Sequence, residues 1–366
     1  MPRTNKLERL EIPPECRTVK DWFPTREAAE AVLSGIYAHI RTTGQTHTHP
    51  AHTHTKPPKD AVPVYIGEFS LPERFLKAKR FAPCPCCWDE FGKFGHGRVA
   101  WFPEERVIRL IGDDCFEALN PEAHRQAKSV YEEEVHRRRN TSFLLSNLGH
   151  IPKVLSTIGT AVVAAKALEQ FHELLHDRFR MVHLHLTHYI GPDGDLSVWE
   201  KEGEFRKDVD NEMYTEDVLA TRVYGRLPGY EMVTRKTLHL SNVLDRCAER
   251  LNEFYPGPDW EPRIAEWSDS KKQEATEQLS KAVSVAKKVI TTIRELRRFT
   301  EPVATNTLRG WGLHPGCPAP FLFKHDGASI MFGPSEFRMV GVPLLPELNQ
   351  RIEDIEFWTP LEPRRR

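Results

Sequence analysis

Apolar residues recur at three- and four-residue steps over long stretches of this chain and alternate over only a few short ones. The first pattern marks helix faces, the second strand faces. From Thr25 to Thr42, Ala29, Val32, Leu33, Ile36 and Ile40 share one face. Thr25 is suited to the N-cap, Glu27 and Glu30 sit near the positive end, and Gly44 ends the helix. Residues 43–60 offer no apolar anchor for a core, so their composition predicts a disordered linker, with histidines at 47, 49, 52 and 54 able to catch a metal loosely. Val62 to Phe69 reads as a strand. Arg98–Phe102 and Val107–Ile111 read as a hairpin around Pro103-Glu104-Glu105.

Beyond Cys115 the helical period dominates. Glu122 to Asn147 is rich in Ala, Glu, Arg and Lys, Gly149-His150 breaks it, and Pro152 suits the first turn of a new helix. There Leu155, Ile158, Val162, Ala165, Leu168, Phe171, Leu175 and Phe179 form a seam, matched later by Leu279, Ala282, Ala286, Val289, Ile293 and Leu296. The economical arrangement pairs the two as an antiparallel, coiled-coil-like stalk with residues 182–262 inserted between them. In that insert Met181–Ile190 alternates as a strand, Leu184 and Leu186 opposite His183 and His185. Pro192-Asp193-Gly194 is a turn, and Leu238–Phe254 is an amphipathic helix. Phe321–Lys324 and Ser329–Phe332 predict a second hairpin, and the tail after Pro343 is punctuated by prolines.

The expected fold class is therefore α+β, mainly α: a long helical hairpin, a small β-hairpin domain and a mixed α/β insert. The expected divisions are 1–60, 61–121, 122–300 and 301–366. Composition adds bounds. The 366 residues carry 51 Lys+Arg against 52 Asp+Glu, a formal charge of −1, which provides no global field for nucleic acid or an anionic membrane. The run Arg364-Arg365-Arg366 is the clearest local excess of one sign. The N-terminus has no apolar signal core, and Val154–Ala165 is too short to span a bilayer, so a cytoplasmic protein is expected.

The chemistry concentrates in the cysteines. Seven is an odd number, and their clustering is unlike a disulfide scaffold. Cys84-Pro85-Cys86-Cys87 gives a C-x2-C turn through Cys84 and Cys87, which lets two thiolates reach one ion. Cys86 is awkwardly adjacent. Cys115 follows Ile111-Gly112-Asp113-Asp114 at a predicted helix start. Knuckle, hairpin and a ligand at a helix start resemble a treble-clef zinc finger over residues 84–124. The CPxC and IGxxC pieces are similar to those of uncharacterised bacterial and phage-associated proteins. The resemblance implies zinc on Cys84, Cys87 and Cys115, with His96 the preferred fourth ligand and His124 the alternative. It also implies a structural metal serving a binding or scaffold function. The partner is protein or nucleic acid, with phosphate contacts from Lys93, Arg98, Arg106 or Arg109, and a homodimer through the helices is open.

Two histidine patterns compete with it. His172-Glu173-Leu174-Leu175-His176 matches the His-Glu-x-x-His signature of zinc metallopeptidases, with Glu173 as the would-be base and His183 or His185 as a distant third ligand. His183 and His185, with His188 nearby, form the other, and Asp193, Asp195, Glu200 and Glu202 follow closely in sequence. Trp311 to Cys317 reads as a stiffened loop. There is no phosphate-binding loop, dinucleotide fingerprint or nucleophile elbow.

Overall fold

A computed structural model describes residues 9–178, 180–207, 213–318 and 320–361. Phe179 and the basic run 364–366 lie outside them. The chain mixes helices with small antiparallel sheets and divides into two units, 1–138 and 139–366.

In the first unit the predicted N-terminal helix forms as two pieces, α1 (Arg26–Glu30) and α2 (Leu33–Thr43). The Thr25 side chain accepts from the Ala28 N–H, and Gly44 ends α2 in the left-handed region with φ 69°. Next come β1 (Val64–Ser70), α3 (Glu73–Lys77), β2 (Ala82–Cys84), β3 (Trp88–Phe94), β4 (His96–Phe102), β5 (Val107–Ile111), α4 (Asp113–Leu119) and α5 (Pro121–Asn147). The unit boundary falls inside α5. Strands β1, β4 and β5 form an antiparallel sheet in that order, and β2 pairs with β3. Val99, Ile108 and Leu110 bury one sheet face against Ile36, Ile40 and Ala29 of the helices. The other face, with Tyr65, Ala100, Phe102, Val107 and Ile111, packs on Phe116, Ala123 and Ala127.

The linker expected at 43–60 is instead part of this unit. His47, His52 and His54 are buried, His52 bridges Ile108 in parallel, and the Thr53 N–H donates to the Ile108 carbonyl at 2.8 Å. The polar run lies along the edge of β5 and satisfies its backbone, which composition alone cannot reveal. Two of the proposed phosphate contacts are also internal. Arg109 is fully buried, clamped by Glu105 and by Thr55, and Arg98 lies between Glu68 and Asp113. A guanidinium enclosed by its own carboxylates is not free to meet phosphate.

The second unit runs through α6 (Ile151–Arg178), α7 (Arg180–Tyr189), β6 (Asp195–Lys207), β7 (Met213–Arg226), α8 (Glu231–Thr234), α9 (Leu240–Phe254), α10 (Trp260–Ala265), α11 (Asp269–Arg297) and α12 (Pro302–Leu313). Strands β8 (Leu322–His325), β9 (Ser329–Gly333) and β10 (Val340–Pro343) complete it. Helices α6 and α11 meet as their seams predict, but α9 packs against both, so the core is a three-helix arrangement rather than a two-helix stalk. Ala161, Ala165, Ala282 and Ala286 line it with small side chains that allow close approach, while Leu244, Leu251, Ile290 and Ile293 fill it. The helical stretch Pro121–Asp177 contains an 18-residue window apolar enough to cross a membrane by length and composition, half of it buried inside the protein.

The strand expected at 181–190 is α7. Leu186 and Ile190, four apart, are both buried while Leu184 is 55% exposed, an i, i+4 pattern that competes with the alternation and wins. Strands β6 and β7 form a long ribbon in a sheet of their own. Leu196 and Val198 are buried, whereas Trp199, Leu219 and Val223 are exposed. The predicted second hairpin, β8–β9, gains β10 as a third strand. Asn147 then ties down the tail. Its side chain donates to the Thr359 carbonyl at 3.1 Å and accepts the Thr359 N–H at 2.9 Å.

Candidate metal centre

Cys84 ends β2, and the turn to β3 brings the Cys87 N–H back toward the Cys84 carbonyl at 3.4 Å. Cys115 enters from the first turn of α4. Hairpin and helix thus place the sulfurs of Cys84, Cys87 and Cys115 within 4.8 Å of one another, the Cys87–Cys115 pair at 3.1 Å. A zinc ion with bonds of about 2.3 Å to tetrahedral thiolates separates its sulfurs by roughly 3.8 Å, so the group has the right scale. Cys84 is buried, Cys115 half-buried and Cys87 exposed, which leaves one side of the group facing solvent.

The surroundings suit anionic sulfur. The Gly112 amide faces the Cys84 sulfur and favours its ionisation, as backbone amides do around thiolate sites. Lys93 Nζ stands 3.4 Å from the Cys87 sulfur, and that contact holds the Lys93 ammonium above its ordinary pKa. Without a cation the thiols keep their protons. For Cys84, the Cys115 contact favours ionisation, but the Cys86 thiol and burial outweigh it and push the pKa up to about 12. Burial and the Cys115 sulfur raise Cys87, and the Cys84 contact followed by burial raises Cys115. A soft divalent ion is what lets three crowded thiols ionise together, and the donor set fits one.

Neither proposed fourth ligand joins the group. His96, exposed at the start of β4, pairs through Nδ1 with Ser70 Oγ at 2.8 Å. His124 is buried in α5, its Nδ1 2.7 Å from the Tyr65 hydroxyl and its ring tilted against Phe116. Cys86, set aside on sequence as too strained, is buried beside Cys84, and its thiol opposes the ionisation of Cys84. Lys93, read on sequence as a phosphate contact, and the Gly112 amide gave no sequence signal of a role beside the sulfurs, because that role depends on the hairpin folding back over the turn.

The metallopeptidase signature lies on the last turns of α6. A cleft of about 220 Å³ is lined by His172, Glu173 and His176 together with Glu169, Asp177 and the 236–239 segment. His172 is buried, and its Nε2–H donates to the Arg235 carbonyl at 2.9 Å. His176 is half exposed, its ring edge-on to His183 with centroids 5.0 Å apart. Among the described residues only the cysteines form a group of three ligand atoms within 4.8 Å. The side chain of His185 lies outside the described residues, and the His188 ring meets Tyr189 edge-on. Compared with protein families, curated proteins and solved structures, the chain has no match in any of the three.

Proposed function

We propose that the chain is a zinc-stabilised binding or scaffold protein, its first unit organised around a treble-clef-like module on Cys84, Cys87 and Cys115. The convergence of three sulfurs from a turn and a separate helix carries this reading. The work of such an ion is to fix β2–β3 and α4 into one unit, its binding energy becoming folding energy. Partner contact, with protein or nucleic acid, falls to the solvent-facing side of the module and to the helices. With Arg98 and Arg109 enclosed, protein is the better-supported partner.

The test is metal content of the purified chain beside Cys84→Ser and His172→Ala variants. One zinc equivalent lost with Cys84→Ser and kept with His172→Ala is expected. A wild-type chain without zinc, or a Cys84→Ser variant that holds as much zinc as the wild type, overturns the reading. The cleft favours a second reading, a zinc metallopeptidase with Glu173 as base. It predicts peptide cleavage abolished by Glu173→Gln.

A further inference from the structure

The histidines of the second unit are anchored in a way the proposed module does not use. The His172 Nε2–H donates to the Arg235 carbonyl, which leaves its Nδ1 as a lone pair. One ring nitrogen of His183 is turned toward the Val233 carbonyl, and the Nε2 atom of that ring is buried with no hydrogen-bond partner. Its remaining donor is therefore Nδ1–H, and Nε2 carries an unshared pair out of reach of water. The His176 Nδ1 stands 3.6 Å from Asp177 Oδ1, which turns the other nitrogen of that ring away from the carboxylate. Oxygen acceptors on one side of each imidazole fix the tautomer that metal-binding histidines use.

The three rings belong together. His172 and His176 are one helical turn apart on α6, and His183 follows on α7 in edge contact with His176. His172 and His176 border the cleft, and Glu173 supplies a carboxylate to the same rim. Glu169 is already engaged, accepting from the Ser241 N–H and hydroxyl. From these placements we infer that the cleft beside the α6–α7 junction is a nitrogen-donor site for a divalent transition ion, Zn2+, Co2+ or Ni2+ in class, held by His172, His176 and His183. The three nitrogens do not yet stand within 4.8 Å of one another, and His176, 49% exposed, is the ring free to turn inward. The buried lone pair of His183 has its partner once the ion enters.

The competing account makes His172 and His183 merely donors to the carbonyls around α8, and two substitutions separate the accounts. His183→Asn retains an N–H where Nδ1 stood and His172→Gln retains one where Nε2 stood, while each removes the lone pair. Cobalt(II) titration of the metal-free full-length chain gives the readout. Thiolate ligands produce charge-transfer bands in the near ultraviolet, and imidazole ligands give visible ligand-field bands without them. The expected result is a second equivalent of nitrogen type, present in Cys87→Ser, and weakened at least about ten-fold in His183→Asn and in His172→Gln with folding unchanged. A single, thiolate-type equivalent in the wild type overturns the inference. So does a second equivalent that survives His183→Asn or is lost with His47→Ala.

Discussion

Histidines gather in both units, and the two gatherings solve the same problem in opposite ways. In the first unit they close upon one another. The Leu110 N–H donates to His52 Nδ1 at 3.1 Å, so His52 carries its proton on Nε2 and passes it as a hydrogen bond to His54 Nδ1 at 2.8 Å. His49 accepts the Ala51 N–H, and the His39 ring meets His49 edge-on. The hydrogen bonds of that series need acceptor nitrogens on His49, His52 and His54. In the second unit the His172 ring donates outward to a backbone carbonyl, and Nε2 of His183 is buried without a partner beside a second imidazole, whereas the unpartnered Nδ1 of His47 in the first unit borders no cleft among those described. A chain of imidazoles linked to one another and to a sheet edge is a structural fastener. Imidazoles held from behind, with lone pairs left over beside a cleft, make a receptor for a cation.

Acid should separate the two regions most strongly. His47 is held down to about 4, by burial first and then by His54 and His39, and His52 lies well below its ordinary value, again chiefly by burial. Both are neutral when folded and charge when unfolded. Their stability is therefore present above the unfolded value of about 6.5 and is lost as pH falls toward 4. Two such groups give a slope of about 3 kcal/mol per pH unit across that window. Groups facing them sharpen the effect, since Arg109 from β5 already adds positive charge beside His52. Amide hydrogen exchange, corrected for its intrinsic pH dependence, should show residues 45–55 losing protection between pH 6.5 and 4. The helix 240–254 should change less. Equal responses would erase the contrast.

A smaller effect tests the fastener directly. His52→Ala strands the Leu110 N–H and leaves a cavity, for a loss of about 2–4 kcal/mol in denaturant unfolding of the first unit. His52→Asn can return an acceptor to the Nδ1 position and should lose less than half as much. If the two variants lose equally, the hydrogen bond to Leu110 is not what holds the segment. The smallest effect belongs to the second unit. His172→Ala removes one hydrogen bond to the Arg235 carbonyl and should cost about 1–2 kcal/mol, with His172→Gln near neutral in the absence of metal.

These contrasts also explain what the sequence could and could not disclose. The helices at 151–178 and 269–297 were legible because their apolar period is set by local geometry, and the hairpin at 98–111 because alternation and its turn agree. The segment 43–60 was illegible because its burial depends on the edge of β5, a partner some 50 residues away, and because a neutral histidine packs like an aromatic once both nitrogens are satisfied, as at His52. At 181–190 two periods coexisted, and Leu186 with Ile190 decided for the helix only through contact with the core. Spacing pointed to Cys84 and Cys87, and the treble-clef resemblance added Cys115. It could not reject His96 or His124, whose partners Ser70 and Tyr65 lie on a strand that only the folded sheet brings near.

The β6–β7 ribbon has a consequence of a different kind. A sheet of two strands has edges beyond its own pairing; at the base of β6, Leu196 bridges Ile190 and the Trp199 N–H donates to the Gly316 carbonyl, and any edge left open is a template for strands from other molecules. Arg222 lies between Glu200 and Glu202, with Lys201 beside them, so charges stand on the ribbon where another strand would have to approach. Replacing these residues with threonine and valine would preserve the pairing within the ribbon and remove what guards its rim. The product should be a chain that folds and then polymerises edge to edge.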